Sequence, residues 1–474
     1  MRPDAGEQGS VFWAVLAVLL VTSLLFSTII FYGAWHRAQN RRFLYQVQAH
    51  YLALAALEQA RCKIRSSLSS ESIIADDLLT DSLPNRQSWR TQITPWGCYW
   101  RAVCRGKSRQ TTQMIDALIG YEPASLFDFA LGLFGPPYPL VIAGETQITG
   151  DVSLGPADVM SGQFQGRNRG DSVLVRGRVV TDPLPQAPVL DWSIWEEFRE
   201  RAMRQRNRLP VRSDRFLVID DQFNLTDADS VVIVDAPVTI NCGHKLRSPS
   251  TLLLLATGPV TIGGMSRVDA RWAIFSDRSI EVKDSARLAG VILCAPRIHI
   301  GDAARFSGQV IADTLLEITD RASSIFPCLL WVTGNGNPNA HLLLSLKSLE
   351  PCQGIAGLSP LNGPWDWLYR SQKTGQLLLM PHAQWTGYLV ARGRAEIQGT
   401  VLGSVQAELL AIEDPPTTYL NWLVDARLDR QAWNGRAVLP AVFRDGGSAT
   451  IAEFTLPSHD SVSPTEAVPR ENGR

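Results

Sequence analysis

The chain has 474 residues, of which 45% are hydrophobic, and its formal net charge is -1. This length suffices for two or three domains or for one long repeat array. The near-neutral charge gives no support for a nucleic-acid partner, because such a partner requires a clustered basic face. The 36 glycines and 28 prolines are typical of a β protein that is rich in loops.

An apolar stretch near the N-terminus predicts a membrane anchor. No charged residue occurs from Gln8 to Trp35, and residues 11–33 are almost wholly apolar. This stretch can cross about 30 Å of hydrocarbon at about 1.5 Å per residue, whereas a cleaved secretory signal has a shorter apolar core and a basic leader. We therefore predict a short leader over 1–10 and a transmembrane helix over 11–33. Its anchor face carries Phe12, Leu16, Leu20 and Phe26.

The helix is predicted to continue beyond the span as an amphipathic helix over 34–66. Apolar residues recur there at spacings of three and four with polar residues between them. The run Leu52–Leu57 contains only leucine and alanine, which have high helix propensity. Arg37, Arg41 and Arg42 follow the span, and the positive-inside rule would hold that end in the cytoplasm.

Residues 54–61 read Leu-Ala-Ala-Leu-Glu-Gln-Ala-Arg, and Gly9-Ser10 ends the short leader. In these features the first 120 residues resemble the type IV pilins and pseudopilins, although Ala14 replaces the glutamate that the family has at the fifth mature position. The resemblance implies leader processing at Gly9-Ser10 and a small β-domain packed on the amphipathic helix. It also implies a bacterial inner-membrane protein with its C-terminal domain in the periplasm or outside the cell.

The predicted small β-domain occupies residues 67–135. Its antiparallel strands are predicted over Trp89–Ile93, Cys98–Cys104 and Thr111–Ile119. We expect most of the cysteines to be buried structural thiols; the alternative for Cys98 and Cys104, which flank a predicted hairpin, is a disulfide if the domain lies in an oxidising compartment. The seven cysteines include no Cys-x-x-Cys pair, so we expect no zinc site.

Short strands with alternating apolar residues recur in the middle of the chain. They begin at Val238, Val260, Ile280, Ile298 and Leu316, and the intervals between these starts are nearly constant. In a second phase, Leu288–Leu293 is echoed one interval later by Phe306–Ile311. A period of about 20 residues is typical of a β-solenoid, in which each repeat forms one coil. Its inward side chains are predicted to include Ile280, Val282, Ile298 and Ile300.

This pattern predicts a β-helix over 136–332, with a helical insertion over 188–208. Residues 333–455 are predicted to form an irregular segment over 333–375 and then further β-helix coils, and the sequence leaves open whether 333–375 continue the same solenoid. The repeated Gly-x-Val/Ile units of this part are similar to those of the bactofilins, which are polymer-forming β-helix proteins. The polar residues 456–474 are predicted to be a disordered tail.

Three short motifs invite a chemical interpretation, and each has a simpler one as turn residues. Asp220-Asp221 followed by Gly243-His244 resembles pectin-degrading β-helix hydrolases, but the other motifs of that family have no match. Asn224, Asp227 and Asp229 offer oxygen ligands for calcium, although Asp and Asn are far commoner as turn residues. Arg169–Ser172 spells a cell-adhesion tetrapeptide. We predict no catalytic, cofactor-binding or metal-binding residue.

The sequence therefore predicts a mainly β protein. Its predicted fold is a right-handed β-helix, preceded by an N-terminal transmembrane and amphipathic α-helix and a small antiparallel sheet. We expect a structural or surface protein, not an enzyme, which contacts the lipid bilayer through its helix and associates with proteins or with itself. No nucleic acid, small-molecule substrate or cofactor is expected. The alternatives are a cytoplasmic, membrane-tethered, bactofilin-like polymer and, less favoured, a polysaccharide-active β-helix enzyme.

Overall fold

A computed structural model describes most of the chain, which divides into two compact units. The described residues are 7–67, 77–83, 87–123, 125–168, 173–181, 186–206, 216–220, 231–242, 252–264, 266–268, 272–334, 341–359, 375–433, 438–443 and 453–455. The anchor unit contains the described residues up to 94 and residues 102–117. The parallel-sheet unit contains residues 95–101 and the described residues from 118 onward.

The anchor unit combines one long helix with most of a small antiparallel sheet. Helix α1 runs without a break over Glu7–Ser67, which confirms the predicted long apolar N-terminal helix. The sheet has the strand order β1-β2-β3-β4, and β1 pairs with β2 in antiparallel orientation. Its strands are β1 Asp77–Leu83, β2 Gln87–Trp96, β3 Tyr99–Ser108 and β4 Thr111–Ile119.

The parallel-sheet unit contains the remaining elements. Before its helix α2 (Ser193–Arg206), it has a 3₁₀ helix at Ser125–Asp128 and the strands β5 Leu131–Leu133, β6 Leu140–Ala143, β7 Gln147–Thr149, β8 Val152–Ser153, β9 Val159–Ser161, β10 Gln163–Phe164, β11 Arg167–Asn168, β12 Val175–Arg176 and β13 Val179–Val180. After α2 come β14 Leu217–Asp220, β15 Val231–Val234, β16 Val238–Asn241, β17 Leu252–Ala256, β18 Val260–Ile262, β19 Arg267–Val268, β20 Trp272–Ser276, β21 Ser279–Val282, β22 Arg287–Ile300, β23 Arg305–Ile318, β24 Ser323–Val332, β25 Leu342–Leu346, β26 Cys352–Leu358, β27 Gly375–Leu379, β28 Gln384–Ile397, β29 Thr400–Asp414, β30 Thr417–Leu420, β31 Trp422–Val424, β32 Arg427–Asp429 and β33 Glu453–Thr455.

Successive repeats pair in parallel and together build three ladders of strands. Ladder 1 contains Ile280 and Ile298, ladder 2 contains Arg287 and Arg305, and ladder 3 contains Leu293. In ladder 1 the paired residues follow the predicted strand starts at their predicted intervals. These pairs are Val238 with Val260, Val260 with Ile280, Ile280 with Ile298 and Ile298 with Leu316.

One apolar core runs between the ladders. The predicted inward residues Ile280, Val282, Ile298 and Ile300 are buried and belong to this core. Alternation along each strand places every second side chain in the core and its neighbours on the outside. The structure thus confirms a mainly β protein with a long N-terminal apolar helix and a small antiparallel sheet.

The large sheet includes strands from two segments near the predicted domain boundaries. Residues 131–133 form β5, which pairs with Val405–Ala407 in the large sheet, so the small β-domain does not extend to residue 135. In the described parts of 333–375, β25 and β26 continue ladders 1 and 3 instead of forming an irregular segment. The sequence period is lost there because the connections between paired strands are longer than in the preceding repeats. The predicted tail, 456–474, lies outside the described residues.

Candidate functional site

The first half of α1 exposes a continuous series of large apolar side chains. The exposed fractions of Phe12, Phe26 and Phe31 are 64%, 68% and 73%. A soluble monomer rarely leaves so large an apolar patch in water. The helix is long and apolar enough to cross a membrane, and its apolar stretch is unburied. The predicted anchor residues therefore face outward, as contact with lipid requires.

Aromatic rings mark both ends of this apolar stretch. Trp13 lies 6.3 Å from Phe12 between ring centroids, and Trp35 lies 6.2 Å from Tyr32. The positions from Trp13 to Trp35 correspond to about 33 Å along a helix. This matches the hydrocarbon thickness of about 30 Å, and Trp and Tyr concentrate at the two membrane–water interfaces. The two tryptophans were not among the predicted anchor residues, although their spacing is visible in the sequence.

Two hydroxyl groups within the span are satisfied by the helix itself. Thr22 Oγ1 donates to the carbonyl of Val18 at 2.9 Å, and Thr28 Oγ1 donates to the carbonyl of Leu24 at 2.8 Å. An unpaired hydroxyl in hydrocarbon would cost several kcal/mol, on the order of 2–7. These bonds therefore make the two threonines compatible with a lipid environment.

The second half of α1 buries one face against the small sheet. A hydrogen atom in place of a side chain at Gly106 lets β3 approach the helix closely, since an added Cβ would collide with the Ala49 carbonyl oxygen. Thr91 Oγ1 donates to the Ala56 carbonyl at 3.2 Å, and Ser108 Oγ donates to Gln48 Oε1 at 2.9 Å. The buried helix residues are Ala49, Ala53, Ala56, Leu57, Ala60 and Ile64. Their spacing of three and four defines one helix face.

Cys98 and Cys104 form no disulfide in the structure. All seven cysteines are described, and all are free thiols. The hairpin turn lies at Gly97, which has a φ of 64°, so both cysteines are on the same side of it. Because Cys104 lies in β3 and Cys98 directly precedes that strand, six extended positions separate their Cα atoms by about 20 Å. A disulfide requires a Cα separation of about 4.4–6.8 Å.

The other predicted motifs come together in no described site. Asp220 ends β14 and is half-buried, whereas Asp221 and Gly243-His244 lie outside the described residues. The same holds for Asn224, Asp227 and Asp229 and for Arg169–Ser172. Gly9-Ser10 lies within α1. Among the described residues, no group of three or more His, Cys, Asp or Glu side chains is arranged to hold a metal ion.

Comparison with solved structures gives a similarity to a pilin. No protein-family model matches the chain, and no curated protein matches it. Among solved structures, the chain is similar to the crystal structure of the competence-associated pilin ComZ from Thermus thermophilus, at 9% sequence identity and a TM-score of 0.20. The match covers 87% of this chain and 98% of that chain. A TM-score of 0.20 does not establish a common fold for the two chains.

Proposed function

We propose that this chain is a single-pass inner-membrane protein whose pilin-like N-terminal part anchors a right-handed β-helix. The observation that carries the proposal is the outward-facing apolar half of α1, bounded by Trp13 and Trp35 at a membrane-spanning distance. The same helix continues into a buried face that packs on the small sheet. The role is structural: the anchor holds the β-helix at the membrane, where its outer faces contact other proteins or polymers.

The β-helix is supported by the register of the large sheet. Glu281 pairs with His299, and His299 pairs with Glu317, so each step along the ladder leads to the next repeat of the chain. A parallel partner in the very next repeat requires the chain to complete one turn per repeat. The right hand follows from the strong preference of parallel crossovers, about 98% of which are right-handed.

Engineered cysteine pairs test this register. Adjacent strands bring Cα atoms to about 4.8 Å, so a Glu281→Cys/His299→Cys variant forms a disulfide under mild oxidation. The matched control, Glu281→Cys/Glu317→Cys, spans two steps of roughly 9–10 Å and stays reduced. Both variants carry Cys62→Ser to remove the exposed native thiol. Equal cross-linking of the two pairs would contradict the proposed coil.

Orientation is tested by labelling Cys62, which follows the span and is exposed while the other six cysteines are buried. A membrane-impermeant maleimide is applied to cells with a permeabilised outer envelope and then to lysed cells, with Cys62→Ser as the blank. Labelling before lysis supports a periplasmic or extracellular C-terminal domain. Labelling only after lysis overturns it in favour of a cytoplasmic, bactofilin-like tethered polymer, the orientation that Arg37, Arg41 and Arg42 favour.

Leader processing is a separate part of the proposal. Cleavage between Gly9 and Ser10 would leave Ser10 as the first residue of the mature chain and keep Trp13 near the N-terminal end of the span. The intact mass of the purified membrane form measures this directly. A mass that includes residues 1–9 would remove processing from the proposal and leave the anchor intact.

A further inference from the structure

Three arginines form a column along ladder 2. Arg267 pairs with Arg287, and Arg287 pairs with Arg305, in consecutive parallel repeats. All three side chains are exposed. Neighbouring strands in a sheet lie about 4.8 Å apart, so the column presents three guanidinium groups in a row at that step. The column was not predicted, although the three arginines recur at the same intervals as the predicted strand starts at Val260, Ile280 and Ile298.

These guanidinium groups have no counter-ion within the part of the chain that the structure describes. The side chains of Arg267, Arg287 and Arg305 form no hydrogen bond or ion pair with any other residue there. Like charges stacked on neighbouring strands repel one another. A row of three unpaired cations therefore costs stability, and an anionic ligand would offset that cost.

A row of carboxylates close to the column in sequence accepts hydrogen bonds from the backbone. Asp284 Oδ2 accepts from the Gly264 N–H at 2.6 Å, and Asp302 Oδ2 accepts from the Asp284 N–H at 2.9 Å. Each of these aspartates precedes a column arginine by three positions. Negative charge therefore borders the row of arginines on one side. This arrangement favours a single extended anionic chain over a wide anionic surface.

The outer face along ladder 1 carries ion-paired charges, and the outer face along ladder 3 is covered by a helix. On ladder 1, Glu317 pairs with Lys347 at 2.9 Å, so charges of both signs neutralise one another. On ladder 3, helix α2 covers the sheet, and Trp195 stacks on Phe275 at 6.3 Å between ring centroids. Among the described residues, ladder 2 is therefore the face of these repeats that combines exposure with an uncompensated charge.

We propose that Arg267, Arg287 and Arg305 form a binding site for a linear acidic polysaccharide that carries a carboxylate on successive sugar rings. The planar guanidinium group matches a carboxylate in bidentate geometry, and the ladder step is close to the length of one sugar ring. Duplex DNA carries one charge per about 1.7 Å, and proteins that bind it commonly make about 6–10 phosphate contacts. Three arginines beside a row of carboxylates therefore fit a polysaccharide with one charge per sugar ring better than they fit DNA.

Binding of the full-length protein in detergent micelles to immobilised polygalacturonate tests the proposal. The ladder variant is Arg287→Gln/Arg305→Gln. The matched control is Arg278→Gln/Arg297→Gln, which removes the same charge from exposed arginines of the same repeats outside the column. We expect the ladder variant to bind at least about tenfold more weakly per arginine, with a shallower salt dependence. The control is expected to bind like the wild type.

Three results would overturn the proposal: no binding by the wild type, equal losses in the two variants, or tighter binding to duplex DNA than to polygalacturonate. Equal losses would mean general charge attraction, and tighter DNA binding would assign the column to nucleic acid. Thermal unfolding verifies that both variants fold. It also provides a second readout, because polygalacturonate should raise the unfolding temperature of the wild type and control but not of the ladder variant. The binding assay is independent of membrane orientation, although access to such a polysaccharide in the cell requires the orientation proposed above.

Discussion

Gln309 fixes the hairpin turn before β3 to the parallel sheet, and we expect its replacement to destabilise the parallel-sheet unit. Its side chain is buried within an outward-facing apolar column, between Ile292 and Leu329. Gln309 Nε2 donates to the Trp96 carbonyl at 2.9 Å, and Gln309 Oε1 accepts from the Cys98 N–H at 2.6 Å. One amide group therefore satisfies both backbone groups that flank the turn.

Gln309→Leu keeps the volume of the side chain and removes both hydrogen bonds. Trp96 and Cys98 are 5% and 0% exposed, so their freed carbonyl and N–H groups would remain buried. Each buried unsatisfied group costs about 1–3 kcal/mol, so we expect the free energy of unfolding to fall by about 2–6 kcal/mol. The control, Gln353→Leu, makes the same chemical change at an exposed position of the same unit and should stay within about 0.5 kcal/mol of the wild type.

Two measurements check this expectation in detergent micelles. Guanidinium unfolding followed by tryptophan fluorescence gives the change in stability. The labelling rate of Cys98 by a thiol reagent under native conditions reports on the turn itself, because burial, followed by the nearby Cys294, raises the pKa of the Cys98 thiol and keeps it unreactive. The reasoning is refuted if Gln309→Leu unfolds like the wild type and Cys98 remains equally protected.

Three further changes have clear expected outcomes. Gly308→Ala should lower the free energy of unfolding by about 1–3 kcal/mol, because Gly308 has a φ of 127° and an added Cβ would collide with the Val291 carbonyl oxygen; denaturant unfolding measures this. Gly106→Ala should loosen the small sheet from α1 and speed amide exchange in β3, whereas Gly33→Ala, which meets nothing within 4 Å, should not. Burial raises the pKa of Asp313, so its contribution to stability is full below the pKa of the unfolded chain and is lost as pH rises through the folded-state pKa. Asp313→Asn should therefore raise the unfolding temperature at pH 7, with the gain shrinking toward about pH 3.5; a gain that is equal at both pH values would contradict this account.

The sequence was sufficient to predict ladder 1, because each of its strands repeats the same short alternation at a nearly constant interval. Val238, Val260 and Ile280 pair as their spacing predicts. The long apolar helix could also be predicted from the sequence, since an uncharged apolar stretch has few structural alternatives. Contacts between distant segments of the chain could not be predicted from the sequence. The approach of Gly106 to α1 depends on the packing of a helix on a sheet, and no local pattern encodes which glycine is required.

The second phase of the repeat shows where periodicity fails. Leu288 pairs with Phe306, as the repeat interval predicts, but a bulge then shortens the interval by one position so that Val291 pairs with Gly308. A shift of one position moves every following side chain to the opposite face of the strand. With the unshifted interval, Gln309 would align with the inward Val291 and bury an amide in the apolar core. The bulge instead turns Gln309 outward, where its amide bonds to the hairpin turn. A polar residue at a position that the simple period would bury is therefore a sign of a bulge and of a polar contact on the outer face.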